Sequence, residues 1–306
     1  MVKIAVLGSF NMDLVMRAER RPLVGETLQG DFAMHLGGKG FNQAVAARRL
    51  GADVAITGRV GDDEFGRAFL AALDRDGIDR RAVAVDPTAG TGIASIVVEP
   101  DGGNTILQDP RANRGLTAAD VAAPALFAAA AVAMLQLETS MPAAIEFARR
   151  ARAAGATTLL NPAPAAAVPA ELLALSDVLV PNEIEARTLT GAAGHGIEAA
   201  FDMAAVLLRG RPRAVVITLG ERGTVLVDET HRVHVPRFDV QAVDTVGAGD
   251  AFCAALAVRI AEGAVLVEAV RFANAAGAIA TTRPGAEPSM PHRDEVESLL
   301  SRGVPA

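Results

Sequence analysis

The segment Asp244-Thr245-Val246-Gly247-Ala248-Gly249-Asp250-Ala251-Phe252 concentrates residue types that can do chemistry. Gly247 and Gly249 let the backbone come close to a ligand, and a long apolar helical pattern begins at Ala248. The N–H groups at a helix start lack intrahelical partners and lie at the positive end of the helix dipole, so they suit an anion such as a phosphate. A carboxylate beside a phosphate site is repelled by its ligand and needs a reason to be there. Asp250 reads either as a general base taking a proton from an attacking hydroxyl or as a cap on the helix N-terminus, where Asp is favoured.

Four further segments have the same double character. In Leu36-Gly37-Gly38-Lys39-Gly40-Phe41-Asn42-Gln43-Ala44, three glycines and a lysine precede a helix. This is not a P-loop, because Gly40 follows the lysine and Ala33 stands where the first glycine would be. By itself it reads as a turn. Gly8-Ser9-Phe10-Asn11-Met12-Asp13 lies at the carboxyl end of the first strand, where open α/β sheets bind ligands. Asn11 and Asp13 point the same way in an extended chain, and a cap or turn is the alternative. In Pro181-Asn182-Glu183-Ile184-Glu185, Asn182 and Glu185 share one helix face. The pair suits a hydrated Mg²⁺ near phosphates and equally a capping box. Thr218-Leu219-Gly220-Glu221-Arg222-Gly223 either cradles a nucleotide or reverses the chain.

Other residues are set aside. His231 and His234 lie three apart in a strand pattern and face opposite sides. No HExxH occurs, and no GxGxxG follows the first strand, which argues against a dinucleotide-binding dehydrogenase. Cys253, the single cysteine, reads as a buried apolar thiol. It excludes an internal disulfide and a Cys-based zinc cage, and it suits a reducing cytoplasm.

The elements that must hold these segments are written as short apolar runs alternating with helical patterns. Strands are expected at Lys3–Leu7, Val54–Gly58, Val132–Leu137, Thr157–Leu160, Val178–Val180, Val215–Thr218 and Thr224–Val227. Helices are expected at Phe41–Leu50, Glu64–Asp76, Pro142–Ala153, Glu183–Leu189, Ala199–Leu208, Ala248–Glu262, Val265–Thr281 and Arg293–Leu300. This alternation predicts a parallel sheet with helices on both faces. Two stretches break it. Asp13–Leu36 has no helical period, and Thr91–Gln108 reads as a hairpin turning at Pro100-Asp101-Gly102-Gly103. Together they predict a small antiparallel sheet standing off the main body. The uncharged run Val121–Leu135, 15 residues long, is too short for a bilayer span of about 20 residues; it reads as an Ala-rich helix feeding a strand at Ala131–Leu137. Gly8, Ser9, Asn11 and Asp13 interrupt the apolar Met1–Leu7, so no export signal is expected. With 306 residues, 51% hydrophobic and 21% charged, the chain is not intrinsically disordered. A net charge of −7 argues against a nucleic-acid partner.

Taken together, these segments resemble the ribokinase/PfkB-type carbohydrate kinase family, from Val6 to about Ser289. Gly37–Gly40 resembles its N-terminal signature and Asp244–Asp250 its C-terminal one. Asn11-Met12-Asp13, Gly38–Ala44, Leu135-Gln136-Leu137-Glu138 and Asn161-Pro162-Ala163-Pro164 are similar to the ribokinase branch. The resemblance implies a single ribokinase-like α/β domain over 1–306, with a central mostly parallel sheet and a small β-sheet lid formed by about 13–36 and 91–108. It implies transfer of the γ-phosphoryl group of ATP to a sugar hydroxyl, O5 of ribose first. Another sugar or nucleoside (fructose, deoxyribose, adenosine), or a catalytically silent sugar-binding protein, is the alternative. It implies that Asn11, Asp13, Gly38, Lys39, Asn42 and Glu138 bind the sugar and that Asp250 is the base. Gly247, Ala248 and Gly249 would form the anion hole. Asn182, Thr218, Gly220, Gly223 and Asn274 would contact the nucleotide, with Glu185 ordering Mg²⁺. Potassium would sit among Asp244, Thr245, Ala280, Arg283, Gly285 and Ser289, the turn at Pro284-Gly285 supplying carbonyls. A homodimer through the lid is also implied, without membrane attachment. The hairpin exit, Gln108-Asp109-Pro110-Arg111-Ala112-Asn113-Arg114-Gly115, departs from the small, Gly/Ala-rich segment usual there and adds bulk and charge beside the lid.

Overall fold

Lys3–Leu7 (β1) sends Ile4 and Val6 into one hydrophobic core and Ala5 and Leu7 into another, as a strand covered on both faces must. A computed structural model describes residues 1–100, 103–210 and 212–303. The other strands are β2 (Asn11–Arg17), β3 (Asp31–Gly37), β4 (Asp53–Gly61), β5 (Asp79–Asp86), β6 (Gly92–Val98), β7 (Asn104–Asp109), β8 (Ala130–Leu135), β9 (Thr157–Leu160), β10 (Val178–Leu179), β11 (Ala214–Thr218), β12 (Thr224–Asp228) and β13 (Arg232–Val235). The α-helices are α1 (Lys39–Arg49), α2 (Glu64–Arg75), α3 (Pro124–Phe127), α4 (Met141–Ala153), α5 (Ala170–Ala174), α6 (Glu183–Thr190), α7 (Gly196–Leu208), α8 (Ala248–Ala261), α9 (Leu266–Ala280) and α10 (Arg293–Ser301).

The main sheet has nine strands in the order β13-β12-β11-β10-β9-β8-β1-β4-β5. All pairs are parallel except β11–β12 and β12–β13. Strand order reverses at β1: the chain first builds outward through β4 and β5, then returns through β8 to the other side. Such a switch point opens a crevice at the carboxyl ends of the strands. Helices α1, α2, α8 and α9 cover one face, and α4 and α7 the other. Helix α8 is apolar all round and buried from Asp250 to Val258, as a helix sandwiched between neighbours must be. Its alanines let α1 and α9 approach closely. Phe10, Phe41 and Phe69 pack with ring centroids 4.9–6.1 Å apart beneath the start of β2.

The four-stranded small sheet, β3-β2-β6-β7, corrects the expectation of an antiparallel one. Strands β2 and β6 pair in parallel, Asn11 opposite Gly92 through Arg17 opposite Val98. The connection between them is a whole β-α-β-α-β excursion, so the two strands need not run opposite ways. The hairpin is observed at β6 and β7, closed by Glu99 N–H to Gly103 O at 2.8 Å; Asp101 and Gly102 of its expected turn lie outside the described residues. Strand β5 was not anticipated: Asp79, Arg80 and Arg81 open it, and a charged edge strand lacks an apolar pattern. The Ala-rich run forms only one helical turn, α3, before β8. Strand β8 spans Ala130–Leu135 and stops short of Leu137, whose N–H turns to Ala163 O at 2.9 Å. Among the described residues no helix is long and apolar enough to cross a membrane.

Candidate active site

The crevice beyond β1 holds two cavities. The larger, about 980 Å³, lies between the small sheet and the main body and is lined by Asn11, Asp13, Gly38, Asn42, Glu138 and the inner face of β6 and β7, among others. The smaller, about 220 Å³, is lined by Asn161, Asn182, Glu185, Thr218, Gly249 and Cys253. Lys39, Thr245, Gly247 and Asp250 line both, so the cavities meet there.

Gly38 starts α1 at φ 96°, and a Cβ there would sit 2.5 Å from Ser9 O, so only glycine lets the helix begin against the end of β1. The helix then presents Lys39, Asn42 and Gln43 to the crevice. Asn42 Nδ2 donates to Asp250 Oδ2 at 2.9 Å and Gln43 Nε2 to Asp250 Oδ1 at 3.0 Å. Asp250 is therefore buried with each oxygen held by one amide. Burial pushes its pKa up, against the pull of Lys39 and the two amides. For Lys39, burial alone would lower the pKa, but Asp250, Glu138 and Glu185 outweigh it and hold the ammonium charged.

Asp13 lies over Gly37 in the paired strand, and any side chain at 37 would collide with its carboxylate. Burial first, then Glu138 and Asp250, push Asp13 up to about 7, with Lys39 opposing. Glu138 follows the end of β8. Its Oε2 accepts from Ser9 Oγ at 2.7 Å and Lys39 N–H at 2.8 Å, and its Oε1 from Gln108 Nε2 at 3.2 Å. Asn11 Nδ2 and Asn42 Oδ1 are buried without a hydrogen-bond partner in the protein, so these atoms suit a polar ligand.

Gly247 caps α8 at φ 78° and packs against Ala286 and Met290. The start of α8 lies at the meeting of the cavities: Gly247 and Asp250 line both and Gly249 the smaller. Asp244 Oδ1 accepts from Val246 N–H at 3.0 Å and its Oδ2 from Gly285 N–H at 2.9 Å. Asp244 thus ties the loop before Gly247 to the turn after α9. Ala280, whose carbonyl would pair with residue 284 in a continued helix, faces a proline without an N–H there. Ser289 is buried and donates to Ala286 O at 2.8 Å, while Arg283 turns outward to Glu295.

Asn182 and Glu185 form the capping box: Glu185 N–H donates to Asn182 Oδ1 at 2.8 Å and Asn182 N–H to Glu185 Oε2 at 2.8 Å. They line the smaller cavity at the same time, so the two readings of this pair coexist. Burial raises the Glu185 pKa, with Lys39 and the Asn182 N–H opposing. Thr218 also reaches this cavity, whereas Gly220 and Gly223 do not line it. Asn274 lines neither cavity: its Nδ2 donates to Val235 O and Pro236 O, both at 3.1 Å, and its Oδ1 accepts from Thr224 Oγ1 at 2.6 Å. It pins β12 and β13 to α9. Among the described residues no three His, Cys, Asp or Glu side chains converge as a metal cage.

Sequence reasoning singled out neither Gln43, Ser9 and Asn113 nor Gln108. Asn113 brackets Phe10, donating to Phe10 O and accepting from Phe10 N–H, each at 2.9 Å. Each of these residues acts through partners distant in sequence, which no local motif announces. Pro110, Arg111 and Arg114 do not line the larger cavity; Gln108 does.

A crevice with a hydrogen-bonded buried carboxylate, a lysine and a glycine-capped helix start, set between a polar cavity and a second one, defines a small-molecule phosphotransferase. Residues 1–293 match the pfkB family of carbohydrate kinases. The chain belongs to that family and is a phosphotransferase acting on an alcohol group. It is 39% identical to a ribokinase of Bacillus subtilis (strain 168), covering 98% of this chain and 100% of that one. It is 37% identical to a ribokinase of Staphylococcus aureus (strain COL), covering 97% and 99%. The solved structure of Arabidopsis thaliana ribokinase complexed with ribose and ATP superimposes with a TM-score of 0.89, at 32% identity, over 98% of each chain.

Proposed function

We propose that this chain transfers the γ-phosphoryl group of ATP to O5 of D-ribose. The observation that carries the reading is the junction of the two cavities at Lys39, Thr245, Gly247 and Asp250. Ribose occupies the larger cavity against Asn11, Asp13, Gly38, Lys39, Asn42 and Glu138; the ATP phosphates enter from the smaller one, past Asn182, Glu185 and Thr218. Asp250 takes the hydroxyl proton as the sugar oxygen attacks phosphorus. The new O–P bond forms as the bond to the ADP oxygen breaks, and the first-turn N–H groups at Gly247, Ala248 and Gly249, with Lys39, receive the charge of the transferring group. The relatives named as ribokinases, and the neighbour that holds ribose and ATP, support the same substrates.

Glu185 would order a hydrated Mg²⁺. This ion keeps most of its waters and leans on one or two carboxylates and the phosphates, and Glu185 beside the smaller cavity would supply the carboxylate. When bound it neutralises charge on the phosphate oxygens. A monovalent cation, K⁺, fits beside Asp244 and Thr245, with the carbonyls of Ala280, Arg283 and Gly285 and with Ser289 completing the set. Neither ion carries a bond-making step. Gly220, Gly223 and Asn274 shape the nucleotide side from behind Thr218. The small sheet closes over the sugar as a lid. Its outer face carries Met16, Phe32, Met34 and Leu107 in the open, and two such faces packed together make a homodimer. A cytoplasmic site of action fits the ATP substrate and the unpaired Cys253.

Among the described residues no phenyl ring lines the larger cavity, which disfavours a nucleoside whose base would stack. A silent sugar-binding protein would have no use for a buried Asp250 beside an anion site. The test is ATP consumption across pentoses, hexoses and nucleosides, with ribose expected to give the highest kcat/KM. A preference for fructose or adenosine would overturn ribose and leave the kinase standing.

A further inference from the structure

On β6 and β7 the inner face of the small sheet above the sugar cavity is apolar over Ala94, Ile96, Val98 and Ile106, with Asn104 at the far end. Gln108 breaks that surface. It stands opposite Ala94 in β7, and its Nε2 reaches across the cavity to Glu138 Oε1 at 3.2 Å. The opposite oxygen of Glu138 is already committed to Ser9 and to the Lys39 N–H. Gln108 therefore meets Oε1, the oxygen that Ser9 and Lys39 leave open.

The position of Gln108 is fixed from behind. Arg111, three residues on, adopts φ 43°, an uncommon conformation for a side chain of its size. Its guanidinium donates to Thr91 O at 3.2 Å, and its N–H to Asp109 Oδ1 at 3.3 Å. Ala112 N–H donates to Gly90 O at 3.0 Å, and Asn113 is locked onto Phe10 and Asn11. The bulky segment after β7 thus stays outside the cavity and anchors the strand end that carries Gln108.

We propose that Gln108 is a specificity-determining residue of the acceptor site, reading one sugar hydroxyl jointly with Glu138. The inference rests on the sugar-kinase reading above. A carboxylate only accepts and the Gln108 N–H only donates, so the group that fits between them both donates and accepts: a hydroxyl. Inserting it exchanges one direct bond for two. A carbon bearing only hydrogen at that place breaks the Gln108–Glu138 bond and returns nothing, so the deoxy analogue is rejected. The lid is thereby held shut by the substrate itself rather than by apolar contact alone.

The experiment compares wild type with Gln108→Leu and Gln108→Glu in steady-state kinetics on ribose and on its 1-, 2- and 3-deoxy analogues, with melting temperature as a check on folding. Wild type is expected to discriminate strongly against one analogue. Gln108→Leu should lose about tenfold of that discrimination, the worth of one hydrogen bond, with the KM for ATP unchanged. Gln108→Glu, which keeps the length and opposes Glu138 with a like charge, should be worse on ribose than Gln108→Leu. Unchanged discrimination in Gln108→Leu overturns the proposal, as does an equal loss in both variants with a parallel rise in the KM for ATP. If wild type does not turn over ribose, the ribose reading has failed. The same variants are then measured on the acceptor it does use and its deoxy analogues, and the role of Gln108 is judged there.

Discussion

The nine-stranded sheet has helices on both faces, and the groups it brings to the crevice are held from several sides at once: Asp250 by Asn42 and Gln43, Glu138 by Ser9 and Lys39. The four-stranded sheet has one face over the cavity and the other in solvent, where Phe32 is 57% and Leu107 77% exposed. Gln108 of β7 ties it to the floor of the site through Glu138. Catalysis asks for groups already aimed before the reaction starts, which the first sheet supplies. Substrate entry and water exclusion ask for a surface that moves, the task that the proposed lid role gives the second. The two halves should therefore fail differently when broken.

The largest effect is expected on the rigid side. Asp250→Asn keeps the size and removes the basicity, and kcat should fall by about 10²–10⁴ while sugar binding is retained. Near-wild-type turnover would remove Asp250 from the mechanism. Because burial raises the Asp250 pKa, its proton-free form is lost at a higher pH than for an ordinary carboxylate. The acid limb of kcat/KM should accordingly lie above the usual carboxylate range.

Asp13 belongs to both halves, since it is carried by β2 and points at the floor. Asp13→Ala should raise the KM for ribose by roughly 10- to 100-fold, the worth of hydrogen bonds to a charged group, with much less change for ATP. Its pKa, raised to about 7 from 3.8, also bears on stability. Between those two values the folded state holds a proton that the unfolded state has released, so stability falls as pH rises through that window. Asp13→Asn removes the penalty. Its melting temperature should exceed wild type by more at pH 8 than at pH 5, and a gap independent of pH would refute the shift.

The small sheet should break at its outer face. Phe32→Asp with Leu107→Lys should leave the main sheet folded and turn a dimer into a monomer in light scattering at micromolar concentration. A monomeric wild type, with and without ribose, would end the dimer proposal and leave the four exposed side chains unexplained.

What could be read in the sequence follows the same division. Gly247, Gly249 and Asp250 announce themselves because a helix start, close approach and a carboxylate lie within four residues of one another. The parallel strands around β1 are legible because burial on both faces writes a continuous apolar run. The parallel pairing of β2 with β6 is not, since nothing local encodes which of two distant strands a half-buried strand will choose. Gln43 and Gln108 look like ordinary polar positions until partners 207 and 30 residues away are brought to them. The exit of β7 stood out in the sequence for bulk and charge beside the lid, while the residue of that stretch that lines the cavity is the uncharged Gln108.

The smallest expected effect lies between the halves, at the loop before Gly247. His35 of β3 packs beside Gly285, whose N–H is held by Asp244 Oδ2. The other oxygen of Asp244 holds Val246 N–H, one residue before the helix cap. A cation seated on Asp244 and the freed carbonyls of the 280–285 turn would stiffen this bridge, and with it the aim of the first-turn N–H groups at the phosphoryl group. It would do so without touching either substrate. The response should therefore be modest: replacing Na⁺ with K⁺ at constant ionic strength raises kcat or lowers KM severalfold. Asp244→Ala should abolish the difference between the salts. That variant also loses the two backbone contacts, so a drop in activity alone decides nothing; the ratio of rates in the two salts is the quantity to compare. Equal rates for wild type in Na⁺ and K⁺ would leave Asp244 as the tie between two loops, with no cation behind it.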